Sequence, residues 1–162
     1  MARRNAAGGT PATVALTRAG IRFTVHTYDH DPAATSFGLE AADALGLDPS
    51  RVLKTLCVTV DGALVVGIVP VAGQLDLKAI AAAVGGKRAT MADPAQAERA
   101  TGYVVGGISP VGQKRSHPTV LDESATAYDS VFVSGGKRGM DLELAPADLI
   151  AATGARTAPI AR

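Results

Sequence analysis

The residues equipped for chemistry fall in three stretches. The first is Val131–Leu144, VFVSGGKRGMDLEL, where Ser134-Gly135-Gly136-Lys137-Arg138-Gly139 separates two short alternating apolar runs. That is the pattern of a β-hairpin with a long glycine-rich connection. The glycines permit positive φ and close backbone approach, so several N–H groups can converge on one point. With two cations at the tip, the loop suits an anion such as a phosphate, and equally a solvated hairpin tip. It lacks the lysine-serine ending and the following helix of a P-loop. The second stretch, Gly102–Arg115, reads GYVVGGISPVGQKR and also runs from glycines into two cations. The third is Lys54 within the strand-like run Val52–Val60. A buried ammonium is costly unless it is paired or lines a cavity, which points to a functional lysine rather than one snorkelling from a strand end.

Other chemistries find little support. The three histidines are His26, His30 and His117, and none lies in a Gly-x-Ser-x-Gly context. His30 sits between Asp29 and Asp31 in the turn Tyr28–Pro32, without a partner at metal-ligand spacing. Cys57 is the only cysteine, which excludes an internal disulfide and a cysteine-based zinc cluster. It alternates within an apolar strand and reads as a packed thiol. No metal and no cofactor is expected. Two glycine loops, a strand lysine, Ser134 and Asp141 offer donors and a cation but no evident strong base. Such a set binds an anion or a carbonyl oxygen and acts by positioning and electrostatics.

The bounds set by composition agree. The 162 residues are 47% hydrophobic, enough for one domain with a proper core, placed at 1–162 with its centre at about 10–152. Net charge is +1, and aromatic content is 4% with no tryptophan. A protein that coats nucleic acid is far more basic, and single-strand binders carry stacking aromatics. Limited contact with one end of an RNA stays open. The start, MARRNAAGGT, has no apolar run fit for a signal peptide, and nothing approaches a membrane span of about 20 residues. A cytoplasmic protein is expected.

These residues need elements to hold them. Thr10-Pro11 caps a helix over about 11–19, and Ile21, Phe23 and Val25 alternate as a strand. Ser36 opens a helix closed by Gly46. Strands at 52–60 and 63–71 flank Asp61-Gly62, the strongest hairpin turn in the chain. Asp76 and Asp93 cap two more helices around a short strand at 87–91. Pro118–Leu121 is a strand candidate, Pro146 starts a last helix, and the tail beyond Gly154 is expected to be loose. The fold class is α+β, with a mixed or antiparallel sheet closed into a barrel-like form and surrounded by helices.

Taken together, VLKTL, GYVVGGISPVGQKR and VFVSGGKRGMDLELAPADL resemble the YbaK family of Cys-tRNA(Pro) deacylases. The YDHDP turn and the TPA start fit as well, and the resemblance runs from about Thr10 to about Ile150. The family is similar to the editing insertion of bacterial prolyl-tRNA synthetases. The resemblance implies an enzyme acting in trans, which removes cysteine mischarged onto proline tRNA and works alongside prolyl-tRNA synthetase. It implies that Lys54 holds the terminal ribose-phosphate of the tRNA and that Thr55 lines the pocket. Gly106 and Gly107 open a segment like the family's substrate-gripping loop. Ser134, Gly135 and Asp141 match the pocket hairpin, and Tyr28 the tyrosine that ends the first strand. The family is thought to let the substrate's own thiol attack its ester, releasing tRNA as a thiolactone forms. His117 departs from the aliphatic residue expected before the proline. The alternatives are a deacylase for another amino acid, such as alanine, and a non-catalytic module that binds tRNA ends or a synthetase.

Overall fold

The computed structural model describes residues 9–34 and 36–162. The reading of the first eight residues therefore lies outside the described residues. Helix α1 (Pro11–Arg18) starts as its sequence dictates: Thr10 accepts from the Thr13 N–H, Thr13 reciprocates, and Pro11 occupies the first turn. The Thr10 hydroxyl also donates to the Gly135 carbonyl at 2.6 Å, tying this helix start to the distant glycine hairpin. Strand β1 (Thr24–Thr27) follows, then α2 (Phe37–Leu45), closed by left-handed Gly46.

β2 (Leu53–Val60) and β3 (Ala63–Pro70) form the longest hairpin, in register from Leu53–Pro70 to Val60–Ala63. Asp61 and Gly62 both have positive φ, +50° and +88°, as a two-residue turn of primed type requires. The Asp61 carboxylate accepts from the Lys87 and Arg88 N–H groups, which docks the approach to β4 (Ala89–Met91) against this turn. Helix α3 (Leu77–Ala83) precedes β4, and α4 (Pro94–Thr101) follows it. After the irregular 102–118 stretch come β5 (Thr119–Asp122), a 3₁₀ turn, the hairpin β6 (Val131–Ser134) and β7 (Met140–Leu144), α5 (Pro146–Thr153) and β8 (Arg156–Ala158).

The strands make two sheets, ordered β1-β7-β6 and β4-β2-β3-β5-β8. The α+β class holds, and the larger sheet is mixed, because β3–β5 and β5–β8 are parallel. The expected closure into a barrel does not occur. Among the described residues, the backbone ladders of the two sheets are joined at one parallel bridge, Val52–Phe132, where the Phe132 N–H donates to the Arg51 carbonyl at 3.0 Å. The chain between α4 and β5, rich in glycine and proline, supplies no strand that would join the open edges. Those edges, β4 and β8, are three residues long.

One core lies between the sheets: Leu53, Cys57 and Ile68 face Val133, Leu142 and Leu144, with Leu16 and Leu149 packed in from the helices. A second fills the other face of the larger sheet beneath α3, and a third joins Phe132, Val52 and Val71 to α2. The C-terminal segment is not loose. Ile160 is fully buried, β8 pairs with β5, and the buried Asp122 carboxylate accepts from the Ile160 and Ala161 N–H groups at 2.9 Å. Its other oxygen accepts from the Ser124 N–H and hydroxyl, so both oxygens of this buried carboxylate are satisfied.

Candidate active site

Where the two sheets part, a cleft of about 370 Å³ opens. Its walls come from β2, the β6–β7 hairpin, the start of α2, the residues after β1 and the loop at 105–108. Six residues expected from the sequence line it: Lys54, Thr55, Tyr28, Gly106, Ser134 and Asp141. Strand geometry explains part of this convergence. Asp141 lies directly across from Ser134 on one side and His26 on the other, so one rung of the small sheet carries the polar floor. Lys54 and Thr55 are at the start of β2, beside the point where that sheet touches the small one.

The floor is electrostatically unusual. Asp141 is 5% exposed, and no described residue donates a hydrogen bond to its carboxylate. Burial pushes its carboxyl up to about 7, well above the ordinary value near 4. Tyr28 is pushed up to about 12, first by burial and then by the charge of Asp141, so its hydroxyl stays protonated. Lys54 is half-buried and makes no ion pair with a described residue. The Thr55 hydroxyl oxygen is buried without a hydrogen-bond partner. A cation, an acid and a hydroxyl thus face one cavity with their polar capacity unspent, as a site awaiting a ligand requires. Cys57 also lines the cleft, but burial pushes its thiol up to about 11, so it is neutral near pH 7 and a poor nucleophile.

Gly107 and Gly135 stand behind the wall. A Cβ on Gly107 would come within 2.8 Å of the Lys137 Cα, because the two glycine loops touch backbone to backbone there. A Cβ on Gly135 would meet the Met140 side chain at 2.5 Å, and the Gly135 carbonyl is taken by Thr10. Both glycines are present for packing. Gly106 differs: it lines the cleft with φ +91°. Phe37, Met91, Ile108 and Lys137 also line the cleft and escaped the site reading from sequence. Lys137 was legible only as a tip cation, and Phe37 only as the first residue of a helix. His117 is away from the cleft, its ring 3.4 Å from the Ala100 carbonyl.

Residues 30–152 match the family described as the aminoacyl-tRNA editing domain. The chain belongs to the aminoacyl-tRNA editing domain family. It is therefore a deacylase acting on aminoacyl-tRNA. Over 121 residues it is 43% identical to a protein of Enterococcus faecalis (strain ATCC 700802 / V583) named "Putative Cys-tRNA(Pro)/Cys-tRNA(Cys) deacylase EbsC", covering 74% of this chain and 73% of that one. It is also similar to a solved structure described as "a putative trans-editing enzyme for prolyl tRNA synthetase", with a TM-score of 0.80, 28% identity and coverage of 94% and 95%. A hypothetical protein, APE2540, aligns with a TM-score of 0.84 at 26% identity, covering 94% of this chain and all of that one.

The editing domain carries a second polar cluster on the same face of its small sheet. Glu143 accepts from the Ser130 hydroxyl at 2.5 Å and pairs with the His26 ring at 2.9 Å. Arg51 donates to Ser130, lies 3.8 Å from Glu143 and stacks over the Phe132 ring at 5.3 Å. The Ser130 hydrogen bond, then His26 and Arg51, hold the Glu143 carboxyl below the usual range. No described residue in this cluster lines the cleft.

Proposed function

We propose that this chain removes cysteine mischarged onto tRNA(Pro), acting in trans beside prolyl-tRNA synthetase. The observation that carries the reading is a cleft with an unpaired lysine and a buried acid but no activated nucleophile. Cys57 is held as a neutral thiol, and no histidine lines the wall. A site of this kind has to position an ester that supplies its own attacking group. The identity to the Enterococcus protein named for cysteinyl-tRNA points to the same substrate.

In this reading Lys54 holds the terminal ribose-phosphate, and Asp141 takes the α-ammonium of the aminoacyl group. A buried carboxylate without protein donors suits a cationic ligand. Thr55, Tyr28 and Ser134 complete the polar wall. Gly106 lets the loop backbone approach the ester. The substrate thiol then attacks the ester carbonyl. The new C–S bond closes a thiolactone, the C–O bond to the ribose breaks, and the thiol proton ends on the released ribose hydroxyl. The amino acid is set by the need for that thiol, and contact with the tRNA body is slight.

The test is deacylation of tRNA(Pro) charged with cysteine, serine, alanine or proline. Cysteine is expected to be cleared fastest, with serine far slower although it is nearly the same size. Equal rates for cysteine and alanine would replace the thiol-assisted reading with deacylation of small amino acids in general. No turnover on any charged tRNA would favour a binding module.

A further inference from the structure

We propose that Arg138 is a positioning residue that sets the glycine loop of the active site, an inference that rests on the deacylase reading of the cleft. Arg138 is at the exposed tip of the β6–β7 hairpin, yet its guanidinium is committed. Both Nε and Nη2 donate to the Val105 carbonyl, at 3.0 and 2.6 Å. The guanidinium carbon lies 4.9 Å from the centroid of the Phe37 ring, a cation–π distance. Arg138 therefore links three separate pieces of the cleft wall: the hairpin, the loop at 105–108 and the start of α2.

The N–H side of Val105 is held too. The Val105 N–H donates to the Glu98 carboxylate of α4 at 2.8 Å, and the Gly107 N–H closes onto the Val104 carbonyl at 2.9 Å. With Val105 held through both its carbonyl and its N–H, the Gly106 and Ile108 N–H groups remain without partners among the described residues. Both residues line the cleft, and an unpaired amide that faces it would suit an ester oxygen or a phosphate. Gly106 is glycine on this account because of Arg138 as well as its φ of +91°. A Cβ there would lie 2.7 Å from the Arg138 Nε and 3.1 Å from two Phe37 ring carbons. The arginine fork occupies the space a side chain would need. A lysine cannot replace it, since an ammonium neither sends two parallel bonds to one carbonyl nor stacks flat on a ring.

The alternative role for an exposed arginine beside this cleft is a direct bond to a tRNA phosphate, and the two are separable. Arg138→Ala and Arg138→Lys are assayed in single turnover on full-length Cys-tRNA(Pro) and on a cysteinylated CCA trinucleotide, with KM, thermal midpoint and backbone amide spectra. A positioning role predicts a fall in the single-turnover rate of about 10- to 100-fold on both substrates, the scale of a small misplacement of the reacting ester. It also predicts little change in KM, a nearly unchanged midpoint, no rescue by lysine, and displaced amide resonances for Gly106 and Gly107 in the free protein. A loss that appears in KM for the full tRNA and vanishes with the trinucleotide would overturn the proposal in favour of a phosphate contact. Unmoved Gly106 and Gly107 resonances would overturn it whatever the rates. Wild-type protein inert on every charged tRNA would refute the deacylase reading instead, and the spectra would still decide whether Arg138 sets the loop.

Discussion

Asp141 and Glu143 are two residues apart on one face of β7, yet their carboxyls are driven in opposite directions. Glu143 has a hydroxyl, an imidazole and a guanidinium around it, and they hold it ionised. Asp141 has none of these, and burial alone pushes it up to about 7. The cations divide the same way. Arg51 is engaged by Ser130, Glu143 and the Phe132 ring, whereas Lys54, three positions on, has no partner among the described residues. One pair is satisfied within the protein and one is left open. The open pair faces the cleft, so lack of partners, more than charge itself, marks the groups left free for a ligand.

Breaking the open pair has the largest expected effect. Lys54→Ala abolishes deacylation, a loss of about 10³-fold or more if it removes the main electrostatic contact to the substrate, with the thermal midpoint nearly unchanged. Lys54→Arg fails largely as well, because a planar fork does not replace a compact ammonium. Single-turnover rates alongside thermal melts decide this, and near-normal turnover by the alanine variant would remove Lys54 from the site.

Asp141→Asn comes next and is informative for its sign. Between about pH 4 and pH 7 the folded protein keeps a proton on Asp141 that the unfolded chain has released. Stability due to this group therefore falls as pH rises through that window. The asparagine variant is expected to lose that slope and to be more stable above pH 7, by on the order of 1.4 kcal/mol for each pH unit separating the two values. Its deacylation is expected to drop at least tenfold; the wild-type rate is expected to rise through about pH 7 as Asp141 ionises, and the variant's profile to lack that rise. Urea melts and rate profiles from pH 5 to 9 measure both. A variant less stable at pH 8 would show that Asp141 has a protein partner after all.

Cys57→Ser probes the wall without touching the pair. Activity within about twofold of wild type is expected, at a stability cost of roughly 1–2 kcal/mol for a hydroxyl in an apolar strand. A folded but inactive serine variant would put the protein's own thiol into the mechanism.

Glu143→Gln, within the satisfied pair, has the smallest expected effect. It costs about 1 kcal/mol near neutral pH, since the cluster is partly solvated, and leaves the rate intact. Because Glu143 is lowered in the fold, its contribution is present above the ordinary glutamate value and is lost as pH falls. A tenfold rate loss in this variant would erase the distinction between the two clusters.

How much of this could be read from the sequence follows from the same distinction. Local signals were legible: Thr10-Pro11 does cap α1, Asp61-Gly62 does make the turn, and Lys54 stood out as a charge in an apolar run. Ser134 and Asp141 stood out beside the glycine loop and the resemblance added Tyr28, but no local pattern separates Asp141 from Glu143. Both alternate on one face, and only partners arriving from His26, Arg51 and Ser130 tell them apart. Gly135 read as a substrate contact because a glycine that makes room for a ligand and one that makes room for Met140 look alike in one dimension. The tail read as loose because its anchor, Asp122, lies far back in the chain. Barrel closure was expected from counting short strands, whereas closure depends on which edges meet.

The short outer strands bear on how other proteins can engage this one. β4 and β8 each offer three residues of ladder, β1 offers four, and the outer side of β6 is taken up at Phe132 by the start of β2. A visiting strand would gain only a few backbone bonds at any of these edges. Self-association by strand addition is disfavoured for the same reason. If the proposed pairing with prolyl-tRNA synthetase holds, the synthetase would meet mainly helices, loops or the mouth of the cleft, and recruitment and tRNA entry would then compete for the same surface.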